Sequence, residues 1–170
     1  MAVQDKVTLE RIKSLHPKLR DEALEIYNQI CIALTSNAIC RFSFTLRTFK
    51  EQEQLYAQGR TTPGKIVTQA KAGLSYHNYG MAIDIVLLID KDKDGNYETA
   101  SWDRLLDSDK DSKADWQEIV TIFKQYGWEW GGDWKFKDYP HFQKTFNKSV
   151  RELLSLYNNK KLDKQGYVIL

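Results

Sequence analysis

His77 and Asp84 lie within Ser75-Tyr76-His77-Asn78-Tyr79-Gly80-Met81-Ala82-Ile83-Asp84, which runs straight into the apolar stretch Ile85-Val86-Leu87-Leu88-Ile89. A carboxylate in so apolar a run is expected to be buried, and a buried charge is paired or bound to a metal. Of the 3 histidines in the chain, the one that best completes a set with these two residues is His141, in Asp138-Tyr139-Pro140-His141-Phe142. Two histidines, one carboxylate and an open fourth position make a catalytic zinc site, whereas a structural site is closed and usually rich in cysteine. Cys31 and Cys40 lie in other apolar segments and lack CxxC spacing. The alternative is that His77 and His141 are unrelated and that Asp84 pairs with a buried Arg or Lys. Composition and spacing leave both readings open.

The pattern Ser75-x-His77-x-x-Gly80-x-Ala82-x-Asp84, followed by Asp138-x-Pro140-His141-Phe142, resembles the zinc signature of the D-Ala-D-Ala carboxypeptidase (VanY-like) family. The stretch from Arg47-Thr48 through Gln54-Leu55-Tyr56-Ala57-Gln58-Gly59-Arg60-Thr61-x-Pro63-Gly64-Lys65-Ile66-Val67-Thr68 is similar to its phage branch, the L-alanyl-D-glutamate endopeptidases or endolysins. So is Leu15-His16-Pro17-x-Leu19-Arg20. The resemblance implies zinc held by His77, Asp84 and His141, with Asp138 as general base and Arg47, Ser75 and Gln54 against the substrate. Many relatives carry Glu where this chain has Asp138, which is one methylene shorter; Glu129 is the alternative base. The implied fold is α+β, a single small domain whose antiparallel sheet carries the zinc site with helices packed around it, as in hedgehog and D-Ala-D-Ala peptidases. The implied activity is hydrolysis of the L-Ala–D-Glu bond of peptidoglycan stem peptides by a phage or prophage endolysin. Two alternatives stand beside it: a D,D-carboxypeptidase releasing terminal D-Ala, and a non-catalytic cell-wall-binding module on the same fold. The acidic residue at 138 argues against the second.

Composition sets the bounds. A chain of 170 residues is one domain by length, read as a catalytic domain over 1–157 and a tail over 158–170 too short for a separate wall-binding domain. A net charge of +2 gives no argument for nucleic acid. Bacterial peptidoglycan is the expected partner, and the expected state is a monomer. Two cysteines make no disulfide framework, so a reducing compartment is tolerated. Met1-Ala2-Val3-Gln4-Asp5-Lys6 has no apolar h-region, and no run reaches membrane-spanning length. The expectation is therefore a protein made in the host cytoplasm without a signal peptide, acting on the wall after release.

The positioning elements follow from periodicity and caps. A short helix is expected from Thr8, and a longer one opens at Pro17 with Leu19, Ala23, Ile26, Tyr27, Ile30, Cys31 and Leu34 on its inner face. Thr35-Ser36-Asn37 is read as its end. Cys40 to Leu46 alternates as a strand. Thr48 and Glu51 form a capping box that starts a helix, and Gly59 stops it. This puts Arg47 at a strand-to-helix junction facing a cleft; the alternative is an ion pair with Glu51 or Glu53. Lys65 to Thr68 reads as a short strand. A further helix is expected from Asp111 or Ser112, with Trp116, Ile119, Val120 and Phe123 buried, ended by Gly127. Trp128 to Trp130 starts a strand that Gly131-Gly132 breaks, so that substrate can approach the backbone. Asp138 to Phe142 is the last strand of the site, and Ser149 to Tyr157 the closing helix. Asp90-x-Asp92-x-Asp94-Gly95 matches the start of a calcium loop, although its twelfth position is Ser101 rather than Glu. The alternative there is a plain acidic hairpin turn.

Overall fold

The structure, a computed structural model, describes residues 3–35 and 37–170; Met1, Ala2 and Ser36 lie outside the described residues. Five helices surround one antiparallel sheet: α1 Lys6–Lys13, α2 Arg20–Ala33, α3 Phe49–Ala57, α4 Asp115–Gln125 and α5 Val150–Asn158. The strands are β1 Ala38–Phe44, β2 Ala82–Ile89, β3 Thr99–Ser101, β4 Glu129–Trp130 and β5 His141–Gln143. Their order is β1-β2-β5-β4, with β3 sharing the β5 side of β2. Among the described residues no helix is long and apolar enough to cross a membrane.

Strand alternation separates core from chemistry. On β2, Ile83, Ile85 and Leu87 face a core built with Ile26, Tyr27 and Ile30 of α2 and Trp116, Ile119 and Phe123 of α4. On β5, Phe142 stacks on Phe123 with ring centroids 4.1 Å apart. The residues on either side of it, His141 and Gln143, face the other way. Asp84 alternates out of the core in the same manner.

The inner face of α2 is buried as its period requires, but Pro17–Leu19 form a 3₁₀ turn ahead of the α-helix. Helix α1 begins at Lys6 rather than Thr8, because Asp5 caps it by accepting from the Thr8 amide at 3.0 Å. Strand β1 starts at Ala38 and ends at Phe44, short of Leu46, with a bulge between Phe42 and Phe44. Both capping boxes, Thr48 with Glu51 and Ser149 with Glu152, form as expected.

The expected strand over Lys65–Thr68 is absent. That exposed segment has no ladder partner; instead Gln58 donates to the Lys65 carbonyl and Arg60 to the Thr68 carbonyl. Helix α4 starts at Asp115, later than expected, since Lys110 and Ser112 adopt left-handed backbone with φ of 62° and 73°. The segment 90–98 is a hairpin connection between β2 and β3. The tail is part of the domain: Val168 is buried and its carbonyl bonds His16, while Tyr167 donates to the Ser14 carbonyl.

Asp5 also ties α1 to the sheet, accepting from Arg41 of β1 at 2.8 and 3.0 Å. Burial works to raise its pKa, but the Arg41 and Thr8 hydrogen bonds win and hold it below the ordinary 3.8. A folded pKa below the unfolded value means that its stabilisation is complete at neutral pH and is lost as pH falls through the folded value. Asp5→Ala is expected to cost about 2 kcal/mol at pH 7 in urea denaturation. The gap from wild type should narrow below pH ~4; a pH-independent gap would assign the loss to packing.

Candidate metal centre

The sheet register creates the site. Asp84 of β2 lies opposite His141 of β5, so two side chains 57 positions apart share one face at one level. His77 arrives on the 3₁₀ turn Tyr76–Tyr79, which Ser75 and Asn78 cap as a box. Asn78 also holds this turn to its surroundings, accepting from the Gly73 amide and donating to the Arg47 carbonyl at 2.9 Å. Gly80 then reverses the chain into β2 at φ 66°, where a Cβ would stand 2.7 Å from the His16 amide nitrogen. Only glycine meets both conditions.

His77 Nε2 lies 3.1 Å, and His141 Nδ1 3.0 Å, from the same Asp84 oxygen, Oδ1. Both histidines are buried. Their outer nitrogens determine what the inner ones can do. His77 Nδ1 is 2.7 Å from the Thr45 carbonyl, which can only accept, so Nδ1 carries a hydrogen. Gln143 directs its amide N–H to Glu129 at 2.9 Å, which leaves its oxygen 3.1 Å from His141 Nε2. That nitrogen therefore donates as well. Two imidazole lone pairs and a carboxylate oxygen point at one spot, all within 4.8 Å of one another. Buried His77 Nε2 has no hydrogen-bond partner among the described residues. Such a donor set fits a divalent cation with nitrogen and oxygen ligands and outer N–H groups fixing the rings.

Protonated on both nitrogens, the same imidazoles serve Asp84 as ion-pair partners; with only their outer hydrogens, the inner lone pairs are open to a cation. Burial pushes Asp84 upward, but His77 and His141 beside it win and hold the carboxyl well below its usual range. Burial lowers His141, yet the hydrogen bond and charge of Asp84 leave it raised overall. Arg47 Nη2 stands 3.7 Å from Asp84 Oδ2. Asp84 thus faces both the histidines and a half-buried arginine, and the two readings left open by spacing are both partly met. Arg47 pairs with neither Glu51 nor Glu53; its Nη1 donates to buried Gln52, and its Nε is buried without a partner among the described residues.

A cavity of about 660 Å³ opens over this cluster, lined by Arg47, Ser75, His77, Asp84, Trp134, Asp138 and His141 among others. The structure thus brings together every expected site residue except Gln54 and the loop aspartates. Gln54 is exposed and lines a neighbouring groove that shares Arg47. Ser75 Oγ accepts from the His77 amide at 3.3 Å, so it braces the turn while bordering the cavity. Asp90, Asp92 and Asp94 come within 4.8 Å of one another in the hairpin, outside the cavity.

Asp138 precedes β5 instead of lying in it, so strand alternation does not turn it away from His141. Its carbonyl accepts from the His141 amide at 3.2 Å. Burial first, with Asp84 adding to it, raises its pKa against the pull of the histidines and Arg47. The approach served by Gly131 is internal: a Cβ there would collide with the Asp138 backbone, so this glycine seats Asp138 rather than admitting substrate. Of the clustered tryptophans, Trp134 reaches the cavity, while Trp128 and Trp130 donate to Glu22 and to the Tyr139 carbonyl. Glu129 lies behind His141, bonded to Gln143.

Sequence reasoning missed Gln143 and Thr45, which orient the two imidazoles. Gln143 had a signal, because position i+2 in a strand shares the face of His141. Thr45 acts through its backbone and left none.

Residues 68–144 match the family model described as D-alanyl-D-alanine carboxypeptidase. Over 98 residues the chain is 55% identical to the peptidoglycan L-alanyl-D-glutamate endopeptidase CwlK of Bacillus subtilis (strain 168), covering 57% of this chain and 55% of that protein. The chain thus spans about half the length of that curated relative. The fold matches the solved L-Ala D-Glu endopeptidase ChiX of Serratia marcescens with a TM-score of 0.52 and 21% identity, over 83% of this chain and 88% of that one. At that identity the likeness is one of fold.

Gln143→Leu is expected to weaken divalent-metal binding ~10–100-fold by freeing the His141 ring. Competition with a chromophoric chelator measures this. Wild-type affinity in the variant would show that His141 is oriented by other contacts.

Proposed function

We propose that this chain, whose residues 68–144 match the family model described as D-alanyl-D-alanine carboxypeptidase, is a zinc peptidase cutting the L-Ala–D-Glu bond of peptidoglycan stem peptides. The observation that carries the reading is the convergence of His77, Asp84 and His141 on one point, with both imidazoles turned inward by their outer hydrogen bonds and Asp138 on the same cavity. Three protein ligands and an open side are the catalytic arrangement for zinc. A zinc ion there would supply Lewis acidity to the scissile carbonyl and acidify the attacking water.

The chain's own groups do the rest. Asp138 takes a proton from the attacking water and returns it to the leaving amine. Its burial, which raises its pKa, makes it a better proton carrier than an exposed aspartate. Arg47 presents buried N–H groups toward the cavity and suits a carboxylate or carbonyl of the stem peptide. Ser75 at the rim can donate its hydroxyl hydrogen to the peptide while still accepting from His77. Gln54, in the groove beyond Arg47, would meet a longer substrate there. The identity to CwlK supports the endopeptidase over the carboxypeptidase. The phage-lysin form of this reading, with synthesis in the host cytoplasm and release to the wall, rests on the motif resemblance alone.

The test is a digest of purified peptidoglycan by zinc-loaded protein, followed by identification of the new ends. New amino-terminal glutamate is the expected result. Free D-alanine would make the enzyme a carboxypeptidase, and neither product across several wall types would make the fold a binding module. Asp138→Asn is expected to lower turnover at least ~100-fold with zinc content unchanged. Near-wild-type turnover in that variant would remove Asp138 from the mechanism.

A further inference from the structure

A second acidic loop lies far from the catalytic cleft in sequence and role. It reads Asp107-x-Asp109-x-Asp111-x-x-x-Asp115-x-x-Glu118. These carboxylates occupy positions one, three, five, nine and twelve of a twelve-residue calcium loop, with the bidentate glutamate in its place. The backbone follows the spacing. Ser112, at position six, takes the left-handed φ of 73° for which such loops use glycine. Helix α4 leaves from position nine, although no helix precedes the loop.

Spacing and loop shape alone would not make a site. The decisive observation is Asp115. It is 0% exposed, and its carboxylate comes within 4.8 Å of those of Asp107 and Asp109. Its Oδ1 accepts from the Ser108 amide at 3.0 Å and the Ser108 hydroxyl stands beside the carboxylate, but its Oδ2 is buried and makes no well-formed hydrogen bond among the described residues. Oε2 of Glu118 is buried and unpartnered too. An ionised oxygen in that position is costly unless a cation meets it. The nearby cations do not suffice: Lys113 pairs with Asp111 at 3.0 Å and is largely exposed. Burial, and then Asp111 and Asp109, push Glu118 up to about 7, as expected of carboxylates crowded together.

We propose that residues 107–118 bind one calcium ion through the carboxylates of Asp107, Asp109, Asp111, Asp115 and Glu118 and the backbone carbonyl of Lys113. An all-oxygen set with a bidentate glutamate suits calcium better than magnesium, which demands tighter octahedral geometry and keeps its waters. The first acidic loop serves as an internal contrast. Asp90 is buried, but both its oxygens already accept from the Asp94 and Gly95 amides, Asp92 and Asp94 are exposed, and position twelve is Ser101. The site ties the loop to the first turn of α4, whose Phe123 stacks beneath β5, and it does not depend on the peptidase reading.

The experiment is a calcium titration of the zinc-loaded full chain by calorimetry, with melting temperatures in calcium-depleted buffer and at saturating calcium. One ion is expected to bind, with a rise in melting temperature of about 5 °C or more. Glu118→Gln and Asp115→Asn are expected to weaken calcium at least ~10-fold. Because they remove buried unpaired charge, both should melt higher than wild type in calcium-free buffer. A role confined to folding would not produce that crossing. Asp109→Asn, whose carboxylate accepts from Thr35 at 2.7 Å and is not unpaired, tests the loss of calcium affinity alone should either variant fail to fold. Asp90→Asn should bind calcium as wild type does. No heat and no melting shift in the wild type would overturn the proposal, as would an increment that survives in the loop variants or disappears in Asp90→Asn.

Discussion

The structure depends on one constraint: a carboxylate must sit inside an apolar strand and remain charged. Asp84 pays for its desolvation through what surrounds it. Two imidazoles, their nitrogens at 3.0 and 3.1 Å, outweigh burial and hold the carboxyl ionised, and an arginine stands at 3.7 Å. The surrounding elements can be understood as the means of delivering those partners. Antiparallel pairing of β2 with β5 places His141 across from Asp84. The turn at Tyr76–Tyr79, closed by left-handed Gly80, brings His77 from the strand's own approach. The junction between β1 and α3 supplies Arg47.

Around that centre runs a shell of hydrogen bonds with one direction. Each imidazole gives its outer hydrogen away, His77 to a backbone carbonyl and His141 to Gln143, which in turn leans on Glu129. The inner nitrogens keep their lone pairs as a result. The rings are thus oriented by the fold itself, and losing an outer partner would act, through the ring, on whatever the inner nitrogens bind. The core completes the arrangement from below. Phe142, between His141 and Gln143 in sequence, stacks on Phe123 and so anchors both neighbours to α4.

The two acidic loops show how little sequence spacing means without burial. Both begin with three alternating aspartates, and both fold their first aspartate back onto two following amides. In one, those bonds use up the only buried carboxylate, and the result is a hairpin turn. In the other, a fourth aspartate at the start of a helix is fully enclosed with one oxygen left over.

Much of this was written in local sequence. The inner face of α2, the capping boxes of α3 and α5 and the apolar run of β2 follow from periodicity and from side chains that bond within one turn. The candidate ligands were legible because chemistry restricts them: few histidines, and a carboxylate where none belongs. Other features were settled only by contacts distant in the chain. Lys65–Thr68 has strand-like residues but no neighbouring edge among the described residues, and Gln58 and Arg60 of the turn after α3 took its carbonyls instead. A strand running from Asp138 would turn that carboxylate away from His141, but β5 begins only at His141. Thr45, acting through its carbonyl, and Gln143, whose amide orientation depends on Glu129, tune the centre without any local mark. Periodicity records which face is apolar, but register, tautomer and the burial of a single oxygen are properties of what lies across the gap, and only the folded chain decides them.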